Sequence, residues 1–107
     1  MIEEIVTNWT KIGSVDDIPR LGARVVEMAS GNIGIFRTAE DEIFALRDKC
    51  PHEGGPLSQG IVHGNRVTCP LHSWKVELDS GLAVAPDVGC AAKYEVKVEA
   101  GIIYLAI

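Results

Sequence analysis

The chain has 107 residues, of which 47% are hydrophobic, and it carries a formal net charge of −5 at pH 7. This length suits one domain with a modest core, and the composition is not that of a disordered chain. No run of residues approaches the roughly 20 apolar residues of a membrane-spanning helix. The acidic balance and the absence of Lys/Arg clusters argue against nucleic acid and anionic membranes as partners, and the acidic start at Met1 lacks a secretion-signal pattern, so we expect a cytoplasmic protein.

Short runs of alternating or apolar residues predict β-strands along most of the chain. Ser14, with Asp17 three residues later, fits a capping box that begins one helical turn at 15–18. The strands predicted, in chain order, are 7–12, 23–28, 32–37, 42–46, 66–68, 74–78, 82–84, 94–99 and 102–107. Many short strands at close spacing, without a repeat or a linker, indicate a single all-β domain, an antiparallel sandwich or barrel.

The stretch from about residue 48 to residue 64 interrupts this pattern of strands. It is rich in Gly and Pro, and it holds two of the three histidines and one of the three cysteines of the chain. Loops of this composition on a β scaffold are where functional sites tend to occur.

Two short motifs combine Cys with His: Cys50-Pro51-His52, and Cys69-Pro70-Leu71-His72 after a further sixteen residues. Within each motif the thiol and the imidazole can project to the same side of a tight loop. Two such loops facing each other would offer two thiolates at one end and two imidazoles at the other. This donor set suits a two-iron cluster with one Cys-bound iron and one His-bound iron. We therefore predict that these two Cys and two His residues bind metal.

Two other interpretations of the four residues stay open at this point. Zinc also accepts two Cys and two His, although its sites usually pair Cys with Cys and His with His. The residues could also be buried cysteines and incidental histidines. The third cysteine, Cys90, makes a disulfide framework a poor prediction, and we expect it to be buried and inert. We expect His63 to be a solvated loop residue.

The segments 50–57 and 69–74 resemble the two cluster-binding boxes of Rieske proteins, and the likeness extends from Trp9 to the final hairpin. The resemblance implies a single domain, 1–107, of stacked small antiparallel sheets, with a cluster-binding subdomain inserted at about 46–86. It also implies one [2Fe–2S] cluster per chain, with the ligands Cys50, His52, Cys69 and His72.

Within that family, the segments 60–64, 69–74 and 87–90 most resemble the small subunit of assimilatory NAD(P)H-dependent nitrite reductase, which converts nitrite to ammonium in nitrate assimilation. The alternative is the Rieske ferredoxin of an aromatic-ring-hydroxylating dioxygenase system. The implied partner is a redox protein: a large siroheme and flavin subunit in the first case, an oxygenase or reductase in the second. The chain shows no nucleophile, acid–base pair or nucleotide-binding glycine loop, so we expect an electron-transfer subunit that is not catalytic alone.

Respiratory Rieske proteins have an extra cysteine in each box and hydroxyl donors near the cluster, whereas this chain has Gly55 and Leu71, then Trp74 and Val76, at those positions. Hydrogen bonds to cluster sulfurs stabilise the reduced state. With fewer of them, we predict a reduction potential near the low end of the family range of about −150 to +300 mV. Redox titration followed by electron paramagnetic resonance (EPR) measures it, and a value above about +100 mV would contradict the prediction.

Overall fold

The computed structural model describes residues 9–29, 31–50, 55–70, 74–85 and 88–106, and these residues form ten strands and two short 3-10 turns. The strands are β1 (Trp9–Ser14), β2 (Ala23–Val26), β3 (Ile33–Arg37), β4 (Ile43–Arg47), β5 (Ile61–His63), β6 (Arg66–Thr68), β7 (Lys75–Glu77), β8 (Lys93–Tyr94), β9 (Val96–Glu99) and β10 (Ile102–Ala106). The first 3-10 turn is Val15–Asp17 and the second is Leu57–Gln59. No helix in this described part is long and apolar enough to cross a membrane.

The strands pair in three antiparallel sheets, which confirms the predicted all-β class. Sheet A has the order β1-β10-β9, sheet B the order β2-β3-β4-β8, and sheet C the order β5-β6-β7. Sheet C lies entirely within the segment that the sequence predicts to be a cluster-binding insertion.

Sheet B is the middle layer, because its two central strands are buried on both faces. From β3, Ile33 and Ile35 pack on one side and Phe36 on the other; from β4, Ala45 and Leu46 divide in the same way. Strands covered on both faces contain near-continuous apolar runs, as these two do. The core between sheets A and B, here the base core, contains Ile18, Ile33, Ile35, Ile43, Ala45, Ile103 and Leu105. The core between sheets B and C, here the site core, contains Phe36, Leu46, Cys50, Leu57, Val62, Val67, Cys69, Val76, Leu78 and Ala91.

The predicted helical turn after β1 is confirmed as the first 3-10 turn. Ser14 Oγ accepts a hydrogen bond from the Asp16 amide at 3.2 Å, and the Asp17 carboxylate accepts one from the Ser14 amide at 3.0 Å. The Asp17 amide also bonds to the Ser14 side chain, and this bond and that of the Asp17 carboxylate form the capping box expected from the residue spacing.

The predicted strand 94–99 is divided between two sheets. Tyr94 pairs with Ala45 of sheet B, and Val96 pairs with Leu105 of sheet A, so the chain crosses between the sheets at Glu95. Both Tyr94 and Val96 pack against the base core. The alternation of apolar residues therefore continues across the crossing and does not reveal it.

Two further predictions differ from the structure. The strand predicted at 82–84 forms only isolated bridges, one of which pairs Val76 with Ala83. The strand β5 was not predicted, because only Val62 of its three residues is buried and so short a segment shows no period.

An ion-pair network ties the loop after the first 3-10 turn to the β3–β4 hairpin. Asp41 lies 2.8 Å from Arg20 Nε and 2.9 Å from an Arg37 guanidinium nitrogen. Arg37 also donates to the carbonyls of Val15, at 3.0 Å, and Ile18, at 2.6 Å. The hydrogen bonds from Arg20 and then Arg37 lower the pKa of Asp41 from 3.8 to about 2.

This lowered pKa makes the stability contributed by Asp41 dependent on pH. Because the folded-state pKa is below the unfolded one, the contribution is fully present near neutral pH and is lost as the pH falls from about 4 toward 2. We predict that Asp41→Asn lowers the denaturation midpoint near neutral pH and that its difference from wild type disappears over that window. Asn tolerates the positive φ of 67° at this position, so the backbone is retained. The control Glu40→Gln, at an exposed neighbouring position, should behave as wild type; a difference for Asp41→Asn that is constant with pH would contradict the prediction.

Candidate metal centre

Cys50 and Cys69 are buried in the same apolar cluster, the site core. Cys50 is 3% exposed and follows β4 by three residues, and Cys69 is 1% exposed and directly follows β6. All three cysteines of the chain lie in its described part, and none of them is in a disulfide. The structure thus brings together the two thiols that the sequence predicts to be ligands.

The two cysteines occupy equivalent positions in two matching loops. The amide of Cys50 donates a hydrogen bond to the carbonyl of Gly55 at 2.7 Å, and the amide of Cys69 donates one to the carbonyl of Trp74, also at 2.7 Å. Each bond closes the chain on the residue five positions later, so each cysteine stands at the base of a short loop. We call these the first loop (50–55) and the second loop (69–74). The predicted ligands His52 and His72 belong to these loops and lie outside the described residues.

Close backbone packing holds the second loop against the chain that follows the first. Gly60, at the start of β5, has an ordinary φ of −86°, but a Cβ at this position would lie 2.1 Å from the carbonyl oxygen of Thr68. Thr68 immediately precedes Cys69. Only glycine allows this approach, since a contact of that length with backbone cannot be relieved by a side-chain movement. Gly60 belongs to one of the segments that carry the family resemblance, but the sequence does not predict this contact.

The site core beneath the loops is apolar. Val76 is fully buried in the site core. Trp74 is partly buried and packs against this core. Val76 therefore supplies no hydroxyl group at the position where respiratory relatives are expected to have one. This agrees with the premise from which we predict a low potential.

The environments of His63 and Cys90 differ from those expected. His63 is exposed, but it lies on strand β5, and its Nε2 is 2.7 Å from the Oγ1 of Thr68, the residue before Cys69. Cys90 is exposed, so the prediction of a buried cysteine was wrong. The bridge between Leu82 and Cys90 places Cys90 on an outer face, while its neighbour Ala91 takes the buried position at 4% exposure.

The donor set suits a metal cluster. Two thiols in an apolar core, at equivalent positions of paired loops, can be held there as thiolates only when a cation compensates their charge. Each loop also contributes one histidine within three residues of its cysteine. The part of the chain that the structure describes contains no group of three or more metal-binding side chains, and His52 and His72 lie outside that part.

Comparison with known families and proteins supports this interpretation. The family model for the Rieske [2Fe–2S] domain matches residues 8–95. The ferredoxin component of the naphthalene 1,2-dioxygenase/salicylate 5-hydroxylase systems of Ralstonia sp is 30% identical over 93 residues, which cover 86% of this chain and 88% of that protein. The 4beta-methylsterol monooxygenase of Methylococcus capsulatus is 36% identical over 85 residues, but the match spans only 23% of that longer protein.

Among solved structures, that of a putative NADH-dependent nitrite reductase small subunit from Mycobacterium tuberculosis superposes with a TM-score of 0.84. The alignment covers 96% of this chain and 97% of the other, at 22% sequence identity. At that identity the likeness establishes the fold. It confirms the stacked antiparallel sheets that the sequence resemblance implies.

Proposed function

This chain belongs to the Rieske [2Fe–2S] domain family, and from that premise we propose that it is the small, electron-carrying subunit of an NAD(P)H-dependent nitrite reductase. As a member of the family it carries a [2Fe–2S] cluster and works as an electron-transfer protein. The cluster, when bound, accepts and releases one electron at a time.

The observation that carries the electron-transfer function is the pair of matching loops with buried cysteines at their bases. We assign Cys50 and Cys69 as ligands of one iron and His52 and His72 as ligands of the other. Because both cysteines are almost completely buried, the histidine-bound iron is the side on which we expect a partner to collect the electron. The chain itself holds the cluster in an apolar surrounding, and catalysis belongs to the partner.

The finer proposal rests on the segments that resemble nitrite reductase small subunits, and residues of two of these segments make defined contacts in the fold. Gly60 makes the close contact with Thr68 described above. The Gly89-Cys90 element lies against residues 82–83: the Ala83 amide donates to the Gly89 carbonyl at 2.9 Å, and Leu82 forms a bridge with Cys90. A cytoplasmic location and a large siroheme and flavin subunit as partner are part of this proposal.

A second candidate is the ferredoxin component of a ring-hydroxylating oxygenase system. It is favoured by the 30% identity to the Ralstonia ferredoxin component, a match that covers most of both chains. The two candidates share the cluster and its ligands and differ only in the protein that receives the electron.

The ligand assignment predicts that the three histidines of the chain respond differently to substitution. We expect His52→Ala and His72→Ala to abolish the Rieske EPR signal of the reduced protein, because each removes one of the two imidazoles on the same iron. His63→Ala is the matched control and should keep the signal, since its imidazole contacts Thr68 and is not assigned as a ligand. A wild-type spectrum from either ligand variant would contradict the assignment.

Anaerobic reconstitution tests the choice of partner. We predict that a nitrite reductase large subunit, supplied with NADH, consumes nitrite faster when this chain is added and not when the His72→Ala chain is added. A parallel reaction, run in air because an oxygenase consumes O2, contains a ring-hydroxylating oxygenase, its reductase, NADH and an aromatic substrate. Nitrite loss that is unchanged when this chain is omitted, together with stimulated oxygenase turnover, would overturn the first candidate in favour of the second.

A further inference from the structure

The two loops are supported differently from below. The second loop continues a hairpin, because Thr68 pairs with Lys75 directly beneath its closing hydrogen bond, and Val67 pairs with Val76 one step further. The first loop has no such ladder: β4 ends at Arg47, and the described residues of the stretch from 48 to 60 contain no strand. Another interaction must hold the two ends of the first loop together.

The carboxylate of Asp48 provides this interaction. Asp48 Oδ1 accepts a hydrogen bond from the Ser58 amide at 2.6 Å, and Asp48 Oδ2 accepts one from the Ser58 hydroxyl at 2.7 Å. Asp48 lies two residues before the first loop, and Ser58 lies three residues after it. The bidentate contact therefore closes the chain one step below the bond between Cys50 and Gly55. Hydrogen bonds to a carboxylate are about twice as strong as those between neutral groups.

This contact is attached to the middle sheet. The Asp48 amide donates to the carbonyl of Asn32, the residue before β3, at 2.9 Å. The second 3-10 turn, which contains Ser58, packs against β2 and β3 and buries Leu57 completely. The carboxylate lies beside Gly34 of β3, where a Cβ would be in ordinary contact with Asp48 Oδ1 at 3.6 Å. Both ends of the first loop are thus fixed to the same rigid layer.

We propose that Asp48 and Ser58 are a positioning pair for the cluster. The Asp48 carboxylate holds the two ends of the first loop together, as the hydrogen bonds of the β6–β7 hairpin do for the second loop. The inference rests on the proposed assignment of Cys50 and His52 as ligands and is independent of which partner receives the electron. Because the first loop supplies one ligand to each iron, the pair sets how firmly that loop holds both metals. Residues that orient metal ligands in this way have large effects on metal retention without touching the metal.

The test uses cluster-loaded protein and the variants Asp48→Ala, Ser58→Ala and the double variant. Loss of visible absorbance in the presence of a chelator should be roughly 10-fold or more faster in Asp48→Ala. It should also be faster than wild type in Ser58→Ala, by a smaller factor, because that variant keeps the bond from its amide to Asp48 Oδ1. The double variant should be no faster than Asp48→Ala, since that change already removes both hydrogen bonds, whereas Ser58→Ala removes only the bond from the hydroxyl. Asp48→Asn keeps an oxygen acceptor for the Ser58 amide and should fall between wild type and Asp48→Ala. Asp79→Ala, in an exposed turn, is the control and should match wild type.

A second readout separates positioning from general stability. The EPR spectrum of the reduced protein should change in Asp48→Ala and Ser58→Ala, because the geometry at both irons is altered. Asp41→Asn, which we predict to lower stability through a distant contact, should leave both the spectrum and the rate of cluster loss unchanged. Wild-type spectra and rates in both single variants would overturn the proposal. If Asp48→Ala does not fold, Ser58→Ala gives the same decision. A wild-type spectrum from His52→Ala would instead locate the error in the ligand assignment.

Discussion

The burial of Cys50 and Cys69 in one apolar cluster is the constraint on which the rest of this structure depends. Uncompensated thiolates are costly in such surroundings, so the proposed ligand assignment requires both sulfurs to reach one metal centre. The fold places the two cysteines at the bases of two loops, each closed by a hydrogen bond from the cysteine amide to a carbonyl five residues later. The same bonds satisfy the amides of two buried residues, which would otherwise lack partners.

Sheet B connects this site to the remainder of the molecule. Its central strands present Ile33, Ile35 and Ala45 to the base core and Phe36 and Leu46 to the site core. Both cores thus share one rigid layer, and the first loop is fixed to it through Asp48. Precise placement of ligands requires support of this kind, because loops without it move more than metal coordination tolerates.

Much of the fold and of the candidate site could be predicted from the sequence. Three features are local sequence patterns: the metal-binding residue types, their spacing and the capping box at Ser14. The central strands have continuous apolar runs, which indicate buried strands whatever the arrangement of the sheets. The prediction was wrong where the pattern is degenerate. Tyr94 and Val96 pack against the same base core although they belong to two different sheets. The alternation of apolar and polar residues therefore continues through Glu95 and gives no sign that the chain crosses between the sheets. Cys90 was expected to be buried because it is small and apolar, whereas its bridge to Leu82 turns it outward.

The chemistry of this protein could therefore be predicted from the chain. The two Cys and two His in paired motifs form a donor set that few metal centres share. Val76 is an apolar residue at a position where respiratory relatives have a hydroxyl group. The contacts that support the two loops could not be predicted in this way. The contact of Gly60 with Thr68 and the bond of Asp48 to Ser58 join residues eight and ten positions apart. Neither pair forms part of a repeating pattern, and such contacts exist only after the sheets have brought the two loops to their places.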